Sequence, residues 1–150
     1  MNEESITRLL EEHGFDRIEV RKPSHLYAFQ IVGRKGRRGL SLVAGEGLYS
    51  VPRYVTSDYS EVEVGLLVDD HLRYCTENSE FFAQDVESYV DEKKLCRIME
   101  AIGSLRLSPQ VTCKGCGRKL EKHSVKDGLC FFCRNSANFY FEGDTAKDLL

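Results

Sequence analysis

No stretch of this 150-residue chain approaches the 18 or more consecutive apolar residues of a membrane-spanning helix. No export leader is expected either. The first residues, MNEESITRLLEEHGF, are acidic and interrupted by charge, unlike an apolar h-region or an Arg-rich transit peptide. The expected compartment is cytoplasmic, with no membrane partner. Internal repeats and low-complexity tracts are absent, and so is any catalytic motif. Gly45 and Gly47 form a Gly-x-Gly that neither opens a helix nor precedes Lys-Ser/Thr, which makes it a turn and excludes a phosphate loop. Cys75 or Cys96 can be combined on paper with His25 or His71, but no spacing joins them into a nucleophile and base. Asp69, Asp70 and Glu77 read as an acidic loop rather than a Mg²⁺ site. The expectation is a protein that is not an enzyme.

What is present fits a globular body with a small module attached: 41% of residues are hydrophobic and 30% charged. Four of the six cysteines fall in two Cys-x-x-Cys pairs, Cys113-Lys-Gly-Cys116 and Cys130-Phe-Phe-Cys133. Each step lets two sulfurs converge, and two such knuckles can close a tetrahedral site with Zn–S bonds of about 2.3 Å. With sulfur at all four positions no vertex is left for water, so the ion would be structural Zn²⁺. A redox dithiol or an iron–sulfur cluster is the alternative. His123 is a poorer ligand candidate than any of the four sulfurs. Without an export signal, reduced Cys75 and Cys96 are expected rather than a disulfide framework.

Periodicity gives the rest of the architecture. Ile6, Leu9, Leu10 and His13 share one helical face, Glu3 and Glu4 stand near its start, and Gly14 follows as a stop. Residues 17–68 are strand-rich: Ile18 and Val20 alternate with charges, His25 to Val32 is apolar and aromatic, and Leu40 to Ala44 follows a Gly-bounded turn. Val62, Val64, Leu66 and Val68 alternate with polar residues except at Leu67, predicting a half-exposed antiparallel strand. Phe81, Phe82, Val86 and Tyr89 predict a helical stretch. A second helix starts at the N-cap Asp91, carries the stripe Leu95, Ile98, Met99 and Ile102, and ends at Gly103. The fold class is α+β, with an N-terminal helix, an antiparallel sheet and a C-terminal helix pair over residues 1–103. A connector at 104–112 leads to the metal module at 113–134, and residues 135–150, with Phe139, Tyr140 and Phe141, form a tail or edge strand.

Charge is unevenly spread. Residues 17–53 hold eight Lys/Arg against two acids, residues 58–100 four against twelve, and residues 113–134 six against two. Such asymmetry points to a polyanionic or acidic partner unless the fold packs the opposite segments side by side. Arg34, Lys35, Arg37 and Arg38 form an exposed basic hairpin tip, and Arg118, Lys119 and Lys122 decorate the metal module. These seven are the candidate partner-binding residues. Basic groups beside thiolates can touch phosphates or damp the charge of the sulfurs.

The stretch from Cys113 to Arg134 resembles the zinc-ribbon and treble-clef group of small four-cysteine modules. There a C-x-x-C-G knuckle precedes a hairpin, and a second C-x-x-C opens a strand or short helix. The resemblance covers about one seventh of the chain and implies a structural zinc on Cys113, Cys116, Cys130 and Cys133. Members serve in transcription factors, polymerase accessory proteins, ribosomal proteins and protein-interaction modules. The absence of a long helix after Cys133 departs from the better-defined members. In size and style residues 1–112 resemble small bacteriophage proteins. The expected function is a non-enzymatic zinc-binding regulatory or adaptor protein that holds a macromolecular partner, a nucleic acid or an acidic protein surface. The alternative is a phage or bacterial inhibitor of a host or defence protein, acting through the acidic segment 58–100. A structural homo-oligomer joined through Phe139 to Phe141 is a further reading.

Overall fold

The computed structural model describes residues 1–21 and 27–135. The start of the strand expected from His25, and the tail with Phe139, Tyr140 and Phe141, lie outside them. The chain divides into two compact units, Met1–Leu107 and Ser108–Leu150. No described helix is long and apolar enough to cross a membrane.

The first unit is α+β. Its opening helix α1, Glu3–Glu12, begins with a reciprocal cap: the Asn2 side chain accepts from Ser5 N–H and the Ser5 hydroxyl accepts from Asn2 N–H. Ile6 and Leu10 are fully buried. The chain turns at Gly14 with a left-handed φ of +80°, which glycine adopts without a Cβ clash.

Five strands then pair in chain order: β1 Asp16–Arg21, β2 Tyr27–Lys35, β3 Arg38–Gly45, β4 Val62–Val68 and β5 His71–Arg73. A sixth, β6 Glu87–Val90, returns to pair with β4, Val62 opposite Val90 and Val64 opposite Glu87. All pairings are antiparallel. Phe29, Ile31, Leu40, Leu42, Ala44, Val62, Val64 and Leu66 are buried, as the period of two requires. Val20, one of the apolar residues that alternate with charges, is exposed. β1 lies at the edge of the sheet with a bulge between Asp16 and Glu19, which breaks its inward alternation.

Helix α2, Glu92–Ala101, is capped by the Asp91 carboxylate accepting from Lys94 N–H and buries Leu95, Ile98 and Met99. It does not stop through a left-handed Gly103. Instead it tightens into a 3₁₀ turn, Ile102–Ser104, and Arg38 donates to the carbonyls of Ile102 and Leu105. That guanidinium satisfies carbonyls which a glycine cap would otherwise have handled. The helix expected from Phe81, Phe82, Val86 and Tyr89 is absent. Residues 79–86 run as bends and Glu87–Val90 is strand. Phe82 and Tyr89 both have positive φ, +59° and +53°, incompatible with a right-handed helix. Pairing with β4 outweighs the local periodicity.

The β2–β3 turn is Gly36-Arg37, with φ +64° at Gly36, and the β4–β5 turn is Asp69-Asp70, with φ +51° and +66°. Both belong to the turn classes that match strand twist in two-residue hairpins. The register Arg38 opposite Val68 sets the two tips side by side. There Arg34 Nε donates to Asp70 at 2.7 Å and Arg37 Nε to Asp69 at 2.9 Å. Hydrogen bonds from Arg37 hold the Asp69 carboxyl below the ordinary carboxylate range, and those from Arg34 do the same for Asp70.

A carboxyl with a depressed folded pKa contributes stability above its unfolded value of about 3.9 and loses that contribution as pH falls through the folded value. Asp69→Asn combined with Asp70→Asn is therefore expected to flatten the stability curve below about pH 4. Urea unfolding at stepped pH checks this, and an unchanged curve would show that the pairs contribute nothing there. Both pairs are exposed, so the change at neutral pH stays small.

In the second unit, β7 Gln110–Thr112 pairs with β8 Lys119–Glu121, and β9 Val125–Lys126 with β10 Leu129–Cys130. The β9–β10 turn is Asp127-Gly128, with φ +54° and +80°, the Asp-Gly pairing such a turn favours. The boundary between the two units falls within the connector expected at 104–112. Leu107 bridges Cys75 in the first unit, and Gln110–Thr112 is strand in the second.

Candidate metal centre

The β7–β8 hairpin delivers the first knuckle. Strand β7 leads into Cys113, Cys113 N–H donates to the Arg118 carbonyl, and Gly117 N–H donates back to the Cys113 carbonyl. Gly117 has φ +76°, the conformation that closes such a turn. The short β9–β10 hairpin delivers Cys130, and a helical turn at 131–135 places Cys133 one turn later. Lys114 N–H donates to the Gly128 carbonyl at 2.8 Å, tying the first knuckle to the second hairpin.

The sulfurs of Cys113, Cys116, Cys130 and Cys133 all lie within 4.8 Å of one another. None is in a disulfide. Backbone amides aim at them: Cys130 N–H donates to Cys113 Sγ at 3.3 Å and Cys133 N–H to Cys130 Sγ at 3.4 Å. Arg118 adds Nε to Cys116 Sγ at 3.4 Å and a second nitrogen to Cys130 Sγ at 3.7 Å.

The amides of Cys116 and Cys130 draw the Cys113 thiol down to about 6, and the amide of Cys133 lowers Cys130. Cys133 moves the other way, to about 12, because its proton is shared with the Cys113 and Cys130 sulfurs. Adjacent thiolates repel one another, so Cys133 holds its proton more tightly until a cation supplies opposite charge. The donor set thus fits a soft or borderline metal ion.

Of the seven cations singled out in the sequence, the site recruits Arg118 alone. Lys119 and Lys122 are exposed on the same unit. His123 is exposed and outside the sulfur cluster. In the first unit the hairpin cations are occupied within the fold: Arg34 and Arg37 by Asp70 and Asp69, Lys35 by the His13 carbonyl, Arg38 by the carbonyls beyond α2.

Gly115 is a structural determinant that the spacing does not reveal. A Cβ there would stand 2.8 Å from Cys133 Sγ and 3.0 Å from its Cβ, so the knuckles close only over a bare backbone. Gly115→Ala is expected to lower metal affinity about 10–100-fold, the usual penalty for displacing a ligand's support. Chelator competition measures it, and an affinity equal to the parent's would mean that the ligand loops yield freely. The Phe131–Phe132 pair was also missed as a feature of the site, although two aromatics enclosed by ligand cysteines are visible in the sequence.

Comparison with protein-family models, curated proteins and solved structures finds no match to this chain.

Proposed function

We propose that Cys113, Cys116, Cys130 and Cys133 hold one structural Zn²⁺, and that the protein is a non-enzymatic regulatory or adaptor protein whose zinc-held unit meets a negatively charged macromolecule. The carrying observation is the quartet of sulfurs within 4.8 Å. Zn–S bonds of about 2.3 Å in a tetrahedron separate the sulfurs by about 3.8 Å, within reach of that cluster by small rotamer changes. Once four thiolates bind, no coordination vertex is left for water or substrate. The ion supplies folding energy rather than Lewis acidity. Bound thiolates are best kept in a reducing compartment, which favours the cytosol.

The rest of the chain supports a binding role. The Cys96 thiol is pushed up, chiefly by burial and then by Glu92, Glu100 and Glu12, the opposite of an activated nucleophile. Asp69 and Asp70 are engaged by arginines. On the zinc-held unit, by contrast, Lys114, Lys119, Lys122 and Lys126 are exposed and make no ion pair among the described residues.

Native mass spectrometry of the purified protein tests the reading. The expected species carries one zinc per chain, with any partner as an additional mass. Iron in place of zinc, or a metal-free species lighter by the hydrogens of a disulfide, would overturn it.

A further inference from the structure

We propose that the partner of the zinc-held unit is single-stranded nucleic acid, with bases stacking on Phe131 and Phe132 and phosphates meeting Lys114, Lys119, Lys122 and Lys126. The inference rests on the reading of the four cysteines as a closed zinc site and gives that site a partner class.

Phe131 is 61% and Phe132 67% exposed. They sit inside the second knuckle, between Cys130 and Cys133, where the proposed zinc would fix their backbone. Their centroids are 5.8 Å apart at an interplanar angle of 81°, so the rings offer two differently oriented faces. The Arg118 guanidinium lies 5.8 Å from the Phe132 centroid while donating to the Cys116 and Cys130 sulfurs. Held by the sulfurs, Arg118 braces the Phe132 ring.

Two exposed aromatics and four exposed cations on one small unit, the cations without an ion pair among the described residues, match single-stranded nucleic acid, which presents π-faces and a repeating negative charge together. In a duplex those faces are stacked inside the helix, so a platform of this kind reads unpaired bases. An acidic protein face would satisfy the lysines and leave the rings with no matching surface. The basic hairpin of the first unit does not compete for this role, since its cations are already engaged.

Fluorescence anisotropy of the full-length zinc-loaded protein with labelled oligo(dT) and oligo(U), a matched duplex and poly-glutamate tests the proposal. Four phosphate contacts on a single strand give a slope near −3 in log affinity against log salt, about fifty-fold between 50 and 200 mM. Phe131→Ala and Phe132→Ala are each expected to weaken binding about tenfold, whereas Phe132→Tyr keeps it. Lys119→Gln with Lys122→Gln should make the salt slope shallower by about 1.4. Zinc content of each variant, measured in parallel, separates lost contacts from a lost fold. If the zinc-loaded protein binds no single strand, binds duplex equally well, or holds poly-glutamate as tightly, this inference falls while the zinc reading stands. Phenylalanine variants with parent affinity would also overturn it. A protein carrying no zinc sinks the underlying reading itself.

Discussion

Removing the proposed zinc with a strong chelator is expected to unfold residues 108–135 and leave Met1–Leu107 folded. The reason is the poverty of the second unit's interior. Among its described residues only Ser108, Cys113, Glu121 and Cys130 are buried, so two of the four buried positions are ligands and none is aliphatic. Its strands are two or three residues long, well below what holds together unaided. Structural zinc contributes roughly 10–16 kcal/mol in domains of this size, far beyond anything these contacts offer.

The first unit has its own core of two helices on a six-stranded sheet, with none of the four clustered cysteines in it. Limited proteolysis with and without chelator reads the difference. Cleavage between Leu107 and Asn135 should appear only in the stripped protein, and Cys113→Ser should behave as the stripped protein does. Acidification should act in the same direction, because protons compete with the ion for the sulfurs. Equal resistance of the stripped and loaded forms would refute the scaffold role.

Phe82→Ala should produce the largest loss in the first unit, about 3–5 kcal/mol. Phe82 is fully buried although it belongs to no helix or strand. Its N–H donates to Glu87 Oε1 at 2.6 Å, its carbonyl accepts from Cys75 N–H at 2.7 Å, and Glu87 Oε2 accepts from Lys94 Nζ. One aromatic residue thus pins the irregular segment to the end of β5, to β6 and to α2. Its φ of +59° is strained for a bulky side chain, and surrounding packing maintains it. Urea unfolding followed by circular dichroism gives the loss, with Phe82→Leu as the milder companion should the alanine variant fail to accumulate. A cost below about 1 kcal/mol would contradict the burial described here.

Where the sequence was legible, the signals were local. Asp91 announced α2, the stripe Ile6, Leu9 and Leu10 announced α1, the alternation from Val62 announced β4, and the two Cys-x-x-Cys steps marked the sulfur cluster. Each lies within a few residues of the structure it specifies. The failures concern partners distant in sequence.

Phe81 to Tyr89 carry helical spacing, but the pairing of Val90 with Val62 decides their backbone. The charge counts of residues 17–53 and 58–100 left open whether the fold packs the two segments side by side. The register of β3 on β4 sets two of those arginines against two of those aspartates, leaving the hairpin tip largely self-neutralised. The roles of Gly115 and Arg118 arise only when two knuckles separated by thirteen residues are brought together.

Pairing of β1 to β5 in chain order also bears on how the first unit assembles. The β2–β3 and β4–β5 hairpins close two-residue turns, and only the β3–β4 connection, residues 46–61, is long, so sequential pairing is inexpensive in entropy and the meander can form early. β6 must wait for the stretch after β5 to settle before it reaches β4. Destabilising substitutions at Leu42 are therefore expected to slow folding, and those at Val90 chiefly to accelerate unfolding. A transition state already containing β6 would show the reverse in stopped-flow measurements.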